Sequence, residues 1–356
     1  MTQKLAGAAA LLLGCAGLLT PCAAVAAAPA VLPVVGVHVS TVALADIGQH
    51  RGVTVTSTCP AASRLVGGGS YLRRSTDPSL APTNGLVLGG SVASTGAVPV
   101  DAAVAPGAVD PASWMTIANF TGVSEAGDDA STFVMCATSG GPAHTAVATA
   151  SVTGTEAAQE AQPPKLATAT CGPGTRLIGA GATTSTPDQV NDGVTQGNDG
   201  NLKPLGSYPS DAAGAPAADG STTADSWSAY GSAGVTSATD TVDAFALCST
   251  DAATPPVQVA RADIAGPDAQ LGTTTTSATA TCPAGTRLLG GGYRVDETVA
   301  RIPATTSLQP AQILPTRGTA TLRPTPTPPP PASAPALPDQ VSLAACLVAA
   351  YEASLP

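Results

Sequence analysis

The chain has 356 residues, room for two or three domains of ordinary size, and 44% of them are hydrophobic; alanine supplies much of that fraction, and only three Phe, two Trp and five Tyr serve the whole length. Charged residues make up 11%, against roughly 25% in ordinary soluble proteins, so each core must be thin and aliphatic and each surface rich in small neutral side chains. The 24 acids outnumber the 14 bases for a formal charge of −10, and lysine occurs only at Lys4, Lys165 and Lys203; with Arg73-Arg74 as the closest basic pair, a nucleic-acid partner is excluded, because phosphate binding needs clustered Lys and Arg.

The first 28 residues have the three parts of an export signal: Lys4, an apolar stretch from Leu5 to Leu19, and small residues through Ala28. Ala24-Val25-Ala26 supplies the small residues that signal peptidase prefers, so residues 1–26 are read as a signal peptide. A cut after Ala28 is the alternative, but it puts Pro29 at the scissile bond. Leu12-Leu13-Gly14-Cys15 looks like a lipid-attachment box and offers a competing reading, a lipoprotein anchored at Cys15. No later segment has 18 consecutive apolar residues, so no membrane-spanning helix is expected. Removing the signal removes Cys15 and Cys22 and leaves six cysteines, an even number suited to disulfides in an oxidising compartment.

Beyond the signal the chain repeats itself. CPAASRLVGGGSY (59–71), CGPGTRLIGAGAT (171–183) and CPAGTRLLGGGYR (282–294) align without gaps, their starts 112 and 111 residues apart. Each is preceded by an alternating stretch, from Val37, His144 and Val257, and by a second Thr-rich run ending in VTVTST, LATAT or SATAT. Trp114 and Trp227 sit in matching segments of the first two repeats, and each repeat closes on an apolar run containing Cys136, Cys248 or Cys346. Six cysteines allow 15 pairings, but the repeat selects one: Cys59 with Cys136, Cys171 with Cys248, Cys282 with Cys346.

Period-two alternation between Gly, Pro, Asn and Asp clusters reads as strands joined by turns, about six per repeat, with no helical period. The fold is therefore expected to be all-β. Three tandem antiparallel sandwich-like modules, 37–139, 144–251 and 257–350, each with one disulfide, form the simplest arrangement; a pseudo-threefold β-prism is the alternative. The third repeat has no tryptophan and carries PTPTPPPPASAPALP over Pro324–Pro338 instead. Proline cannot donate to a ladder, so this run is expected to be a polyproline II excursion and the third module the least ordered.

The pattern CPxGxxxxGGG, followed by a serine-proline segment (GSYPSD, 206–211), a tryptophan strand and a closing cysteine, resembles a repeat of secreted actinobacterial proteins over roughly residues 37–350. That resemblance implies an extracellular setting and brings no characterised activity. The triplication is also similar to the three-sheet prism of the vitelline membrane outer layer protein, although these repeats are about twice as long.

Sites with chemistry are few. The glycine triplets lack the lysine of a phosphate loop and the third glycine of a dinucleotide fingerprint, so they are read as places of close backbone approach. Arg64, Arg176 and Arg287 recur five residues after each first cysteine; they form either a threefold anion site or arginines paired with acids of their own module. His38, His50 and His144 are the only histidines and sit in no nucleophile–base constellation, and His38 and His144 are read as equivalent scaffold positions. No zinc spacing occurs. Glu125, Asp128 and Asp129, and Asp188, Asp192 and Asp199, suit calcium in residue type but not in spacing, and Asn-Asp-Gly turns explain the second group. No cofactor, metal or catalytic residue is assigned. Trp114 and Trp227, with Tyr208 and Tyr230 nearby, are candidate ligand contacts or core residues. The expected function is a secreted, non-enzymatic structural or adhesive protein. A glycan- or protein-binding repeat, directed at cell-wall glycan or another surface protein, is the second possibility, and an extracellular hydrolase the third.

Overall fold

The protein is described here by a computed structural model covering residues 33–44, 52–73, 86–97, 102–120, 127–153, 165–185, 190–191, 194–195, 202–233, 241–251, 254–265, 278–284, 286–296, 312–313 and 341–349. The signal region with Cys15, His50, the acids Glu125, Asp188, Asp192 and Asp199, and the run Pro324–Pro338 lie outside these residues. Among the described residues the structure is strand, turn and bend, with no helix. The first repeat supplies the six strands its alternation predicts: β1 (Val34–Ala43), β2 (Gly52–Thr58), β3 (Arg64–Arg73), β4 (Leu86–Ser94), β5 (Ser113–Phe120) and β6 (Asp129–Ser139). The second supplies β7 (Thr145–Thr153), β8 (Lys165–Thr170), β9 (Arg176–Ser185), the short β10 (Val190–Asn191) and β11 (Val194–Thr195), β12 (Leu202–Ser210), β13 (Ser226–Ala233) and β14 (Thr241–Ser249). The third supplies β15 (Val257–Ala265), β16 (Arg287–Asp296), β17 (Gln312–Ile313) and β18 (Val341–Ala349). The described part of its SATAT run, 278–281, forms no strand.

These strands make three open antiparallel sheets and a separate β10-β11 ribbon. The first sheet has the order β1-β6-β3-β17, the second β2-β5-β4-β9-β14-β7, and the third β15-β18-β16-β12-β13-β8. Strand order combines the two arrangements that the sequence allowed. Each of the first two repeats contributes two three-stranded half-sheets, as a sandwich would, and half-sheets of successive repeats then join edge to edge, as a prism requires. The joints share one register: Gly90 and Ser91 oppose Thr183 and Ala182, Gly206 and Ser207 oppose Arg294 and Tyr293, and Gln312 and Ile313 oppose Tyr71 and Ser70. The third joint brings the last repeat back to the first.

Two disulfides clip the half-sheets together. Cys59 extends β2 by donating its N–H to Ala112 and bonds Cys136 in the middle of β6, with Cα atoms 5.7 Å apart; Cys171 and Cys248 repeat the link across β8 and β14 at 5.6 Å. The turn after each first cysteine is also common to all three repeats. Ser63 Oγ, Thr175 Oγ1 and Thr286 Oγ1 donate to the carbonyls of Pro60, Gly172 and Pro283 at 2.6, 2.6 and 2.5 Å. A left-handed residue completes the turn in the first two, Ala62 at φ 66° and Gly174 at φ 78°. The small hydroxyl and the glycine of the CPxGT motif are thus turn chemistry.

One main core runs through all three repeats, from Leu65, Val66 and Trp114 through Leu177, Ile178 and Trp227 to Val259 and Leu289. A scarcity of aromatics is met in two ways. Hydroxyls pair inside the interface: Thr132 donates to the Val55 carbonyl at 2.5 Å and lies 2.8 Å from Thr116 Oγ1, whose proton it can accept, and Thr116 meets Ser70 at 2.7 Å. Satisfying these buried groups removes the desolvation penalty that a polar core would otherwise carry. The second device is close backbone approach. Strands β3, β9 and β16 contact one another, and a Cβ on Gly179 would run into the carbonyl of Val66, as one on Gly67 would run into that of Leu289. Glycine lets the three motif strands meet main chain to main chain.

Candidate functional site

Trp114 lies on β5 and Trp227 on β13, and both side chains are buried, at 1% and 0% exposure. Each indole Nε1 donates to a serine on the neighbouring strand, Trp114 to Ser91 Oγ at 2.9 Å and Trp227 to Ser207 Oγ at 2.8 Å. The face of Trp114 packs so closely over Gly68 that a Cβ there would overlap the ring, and a Cβ on Gly292 would come within 3.0 Å of Trp227 while running into the Ser207 carbonyl. Neither indole has a face for a sugar to stack on, so the ligand-contact expectation gives way to the core reading of these two residues. In the third repeat Ile313 holds the register position of Ser91 and Ser207; the tryptophan and its hydroxyl acceptor are lost together. That coupled loss was the sequence signal that could have marked the serines in advance.

Tyr208 and Tyr230 also belong to the scaffold. Tyr208 is buried, its hydroxyl donates to the Gly214 carbonyl at 3.2 Å, and Arg294 of the next repeat lies 5.3 Å from the centroids of both rings. A guanidinium shared by two aromatic faces pins the β12–β16 joint. Beside it, burial pushes the Tyr293 phenol well above its ordinary value.

The recurrent arginines open the motif strands β3, β9 and β16. Arg64 Nε donates to the Ala143 carbonyl at 3.2 Å and Arg287 Nη1 to the Thr286 carbonyl at 3.2 Å. These are carbonyl contacts, where sequence reasoning expected carboxylates. Arg64 does act on one acid, Asp110, in the loop before β5. Its Oδ2 meets His144 Nδ1 at 2.9 Å, its Oδ1 accepts the Thr145 N–H at 2.9 Å, and its backbone is left-handed at φ 47°. Partial burial opposes the charge on Asp110, but His144, the Thr145 amide and Arg64 together outweigh it and hold the carboxyl below its ordinary value. His144 thus sits just before β7 at a junction between repeats, whereas His38 lies within β1; the two histidines are not equivalent positions.

A group whose folded value is lowered adds stability above its unfolded value and loses it as pH falls through the folded one. Asp110→Asn keeps an acceptor and a residue tolerant of left-handed backbone, so it isolates the charge. The variant is expected to lose about 0.5 kcal/mol at neutral pH and progressively less as acid protonates the carboxyl in the parent, read from urea midpoints at neutral pH and in strong acid. A loss that persists unchanged in acid would show that the charge contributes nothing.

Asp129 pairs with Arg73 across β3 and β6, and Asp128 is buried beside it. Among the described residues no three His, Cys, Asp or Glu side chains gather in a metal-binding group. No helix of the described residues is long and apolar enough to cross a membrane. Cys282 is half-buried, and Cys346 is placed by its backbone alone, so their expected link lies outside what the described side chains show. What the residues build is scaffold: Trp–Ser pairs and disulfide clips within the first two repeats, and the Tyr–Arg–Tyr stack and the Asp110–His144 pair between repeats. No family model matches the chain, and no curated protein matches its sequence.

Proposed function

We propose that the chain is a secreted, non-enzymatic extracellular protein whose three repeats close into one disulfide-clipped β-prism with a structural or adhesive role. The observation that carries the reading is the use to which its reactive and aromatic groups are put. Four cysteines are bonded in pairs, and both tryptophans are sealed against partner serines. Disulfides persist in oxidising surroundings, and clips that tie separate sheets together suit a protein that must hold its shape outside the cell. The export-signal pattern and the resemblance to repeats of secreted actinobacterial proteins support the same setting, with cell-wall glycan or another surface protein as the partner class.

Expression of the full chain in a bacterial host tests it. The expected product is recovered outside the cytoplasm, begins at Ala27 by N-terminal sequencing, and shows no titratable thiol at Cys59, Cys136, Cys171 or Cys248 before reduction. Retention inside the cell with reactive thiols at Cys59, Cys136, Cys171 and Cys248 would overturn the reading.

A further inference from the structure

The opening strands of the three repeats occupy one position in their sheets, next to the closing cysteine strand: Val37 opposes Met135, Val147 opposes Leu247 and Val259 opposes Leu347. Two of these strands are clamped along their outer edge by the preceding repeat. Val147 donates its N–H to the Ala108 carbonyl at 2.9 Å and accepts the Gly107 N–H at 2.8 Å; Val259 makes the same two bonds with Ser221 and Gly220, each at 2.8 Å. Under those clamps the valines are buried, at 3% and 1% exposure. β1 has no such clamp among the described residues. It ends the first sheet, no hydrogen bond reaches its outer edge between Val35 and Ala43, and Val37 and Val39 are 48% and 53% exposed.

We propose that this open edge pairs antiparallel with the β1 edge of a second copy of the chain. The inference rests on the adhesive reading above and gives it a surface. The strand VVGVHVSTVA contains no Lys, Arg, Asp, Glu or Pro, the residues by which exposed edges are normally protected from pairing. Two copies therefore meet here without local repulsion, despite the overall charge of −10. By the alternation seen on β7 and β15, the odd-numbered residues from Val35 to Thr41 turn their N–H and C=O groups outward. Antiparallel pairing centred on His38 sets Val37 against Val39 of the second copy and Val35 against its Thr41, so β-branched side chains meet along the face that carries the odd-numbered residues, a favourable cross-strand combination. The chain's own run Pro324–Pro338 is a poor substitute, because eight of its fifteen residues are proline and have no N–H to donate.

Sedimentation equilibrium of the oxidised full-length secreted chain, over roughly a hundredfold range of concentration, tests the proposal. A monomer–dimer equilibrium is expected. V37K/V39K is expected to weaken it at least about tenfold, Val39→Pro to abolish it by deleting an outward N–H, and Val109→Lys, at a still more exposed valine on the clamped β7 junction, to leave it unchanged. Near-UV circular dichroism confirms that each variant is folded. A monomer at every concentration, or a dimer indifferent to the β1 substitutions, would overturn the pairing and leave the extracellular reading standing. A monomer in which the Val37 and Val39 amides exchange slowly would also overturn it, by showing that another part of the same chain takes the edge.

Discussion

Replacing Gly179 by alanine is expected to cost roughly 3 kcal/mol or more, although it adds a single methyl group. A Cβ at this position would lie inside the contact distance of the Val66 carbonyl oxygen, with Val66 C at 3.0 Å and Gly67 Cα at 3.2 Å. All three obstacles are backbone of another repeat, so no rotamer change relieves the overlap, and β3 and β9 must move apart. Their separation would open the shared core, in which Val66, Leu177 and Ile178 are at most 1% exposed. Gly172→Ala is the control, since a Cβ there meets nothing within 4 Å, and such a surface change is expected to stay within about 0.5 kcal/mol of the parent. Urea unfolding followed by tryptophan fluorescence reads both. Equal midpoints for the two variants would mean that the repeats do not depend on main-chain contact at the motif glycines.

That dependence shows where sequence reading was strong and where it stopped. The alternation of the first repeat located all six strands, and the cysteine spacing fixed the links Cys59–Cys136 and Cys171–Cys248. Both signals are local or repeat themselves, which is why one chain suffices to read them. Edge-to-edge joining of half-sheets was not legible: nothing in Gly90-Ser91 names Thr183 and Ala182 as partners, because alternation specifies a buried face and leaves the neighbouring strand open. The clamps were hidden for a related reason. Gly107 and Gly220 each stand seven residues before a tryptophan and adopt left-handed backbone, φ 78° and 77°, yet a lone turn glycine carries no hint that its N–H will be spent on the next repeat. The exposure of β1 was not legible either, since no property of VVGVHVSTVA by itself distinguishes it from the covered TAVATASVT.

The second large effect concerns the disulfides, and here the repeats part company. Removing Cys171–Cys248 as the double alanine variant is expected to cost about 4 kcal/mol, the loop-entropy value for a closure of this length, and Cys59–Cys136, with the same separation of 77 residues, should match it. Removing Cys282 and Cys346 is expected to cost markedly less. In the first two repeats the closing cysteine stands opposite the leucine six residues after the first cysteine, Cys136 opposite Leu65 and Cys248 opposite Leu177. In the third the residue opposite Leu288 is Val348, and Cys346 stands opposite Gly291. Two residues along a strand is about 6.6 Å, a displacement comparable with the whole Cα separation that a disulfide tolerates. A link to Cys282 built as in the first two repeats would therefore need β18 two residues along from this register, at the expense of part of its ladder, and that loss would offset the entropy gained. Comparison of urea midpoints for the three double variants, with peptide mapping of the non-reduced parent, decides the matter. Three equal losses would show that the third link forms without cost and that β18 adopts the register of β6 and β14.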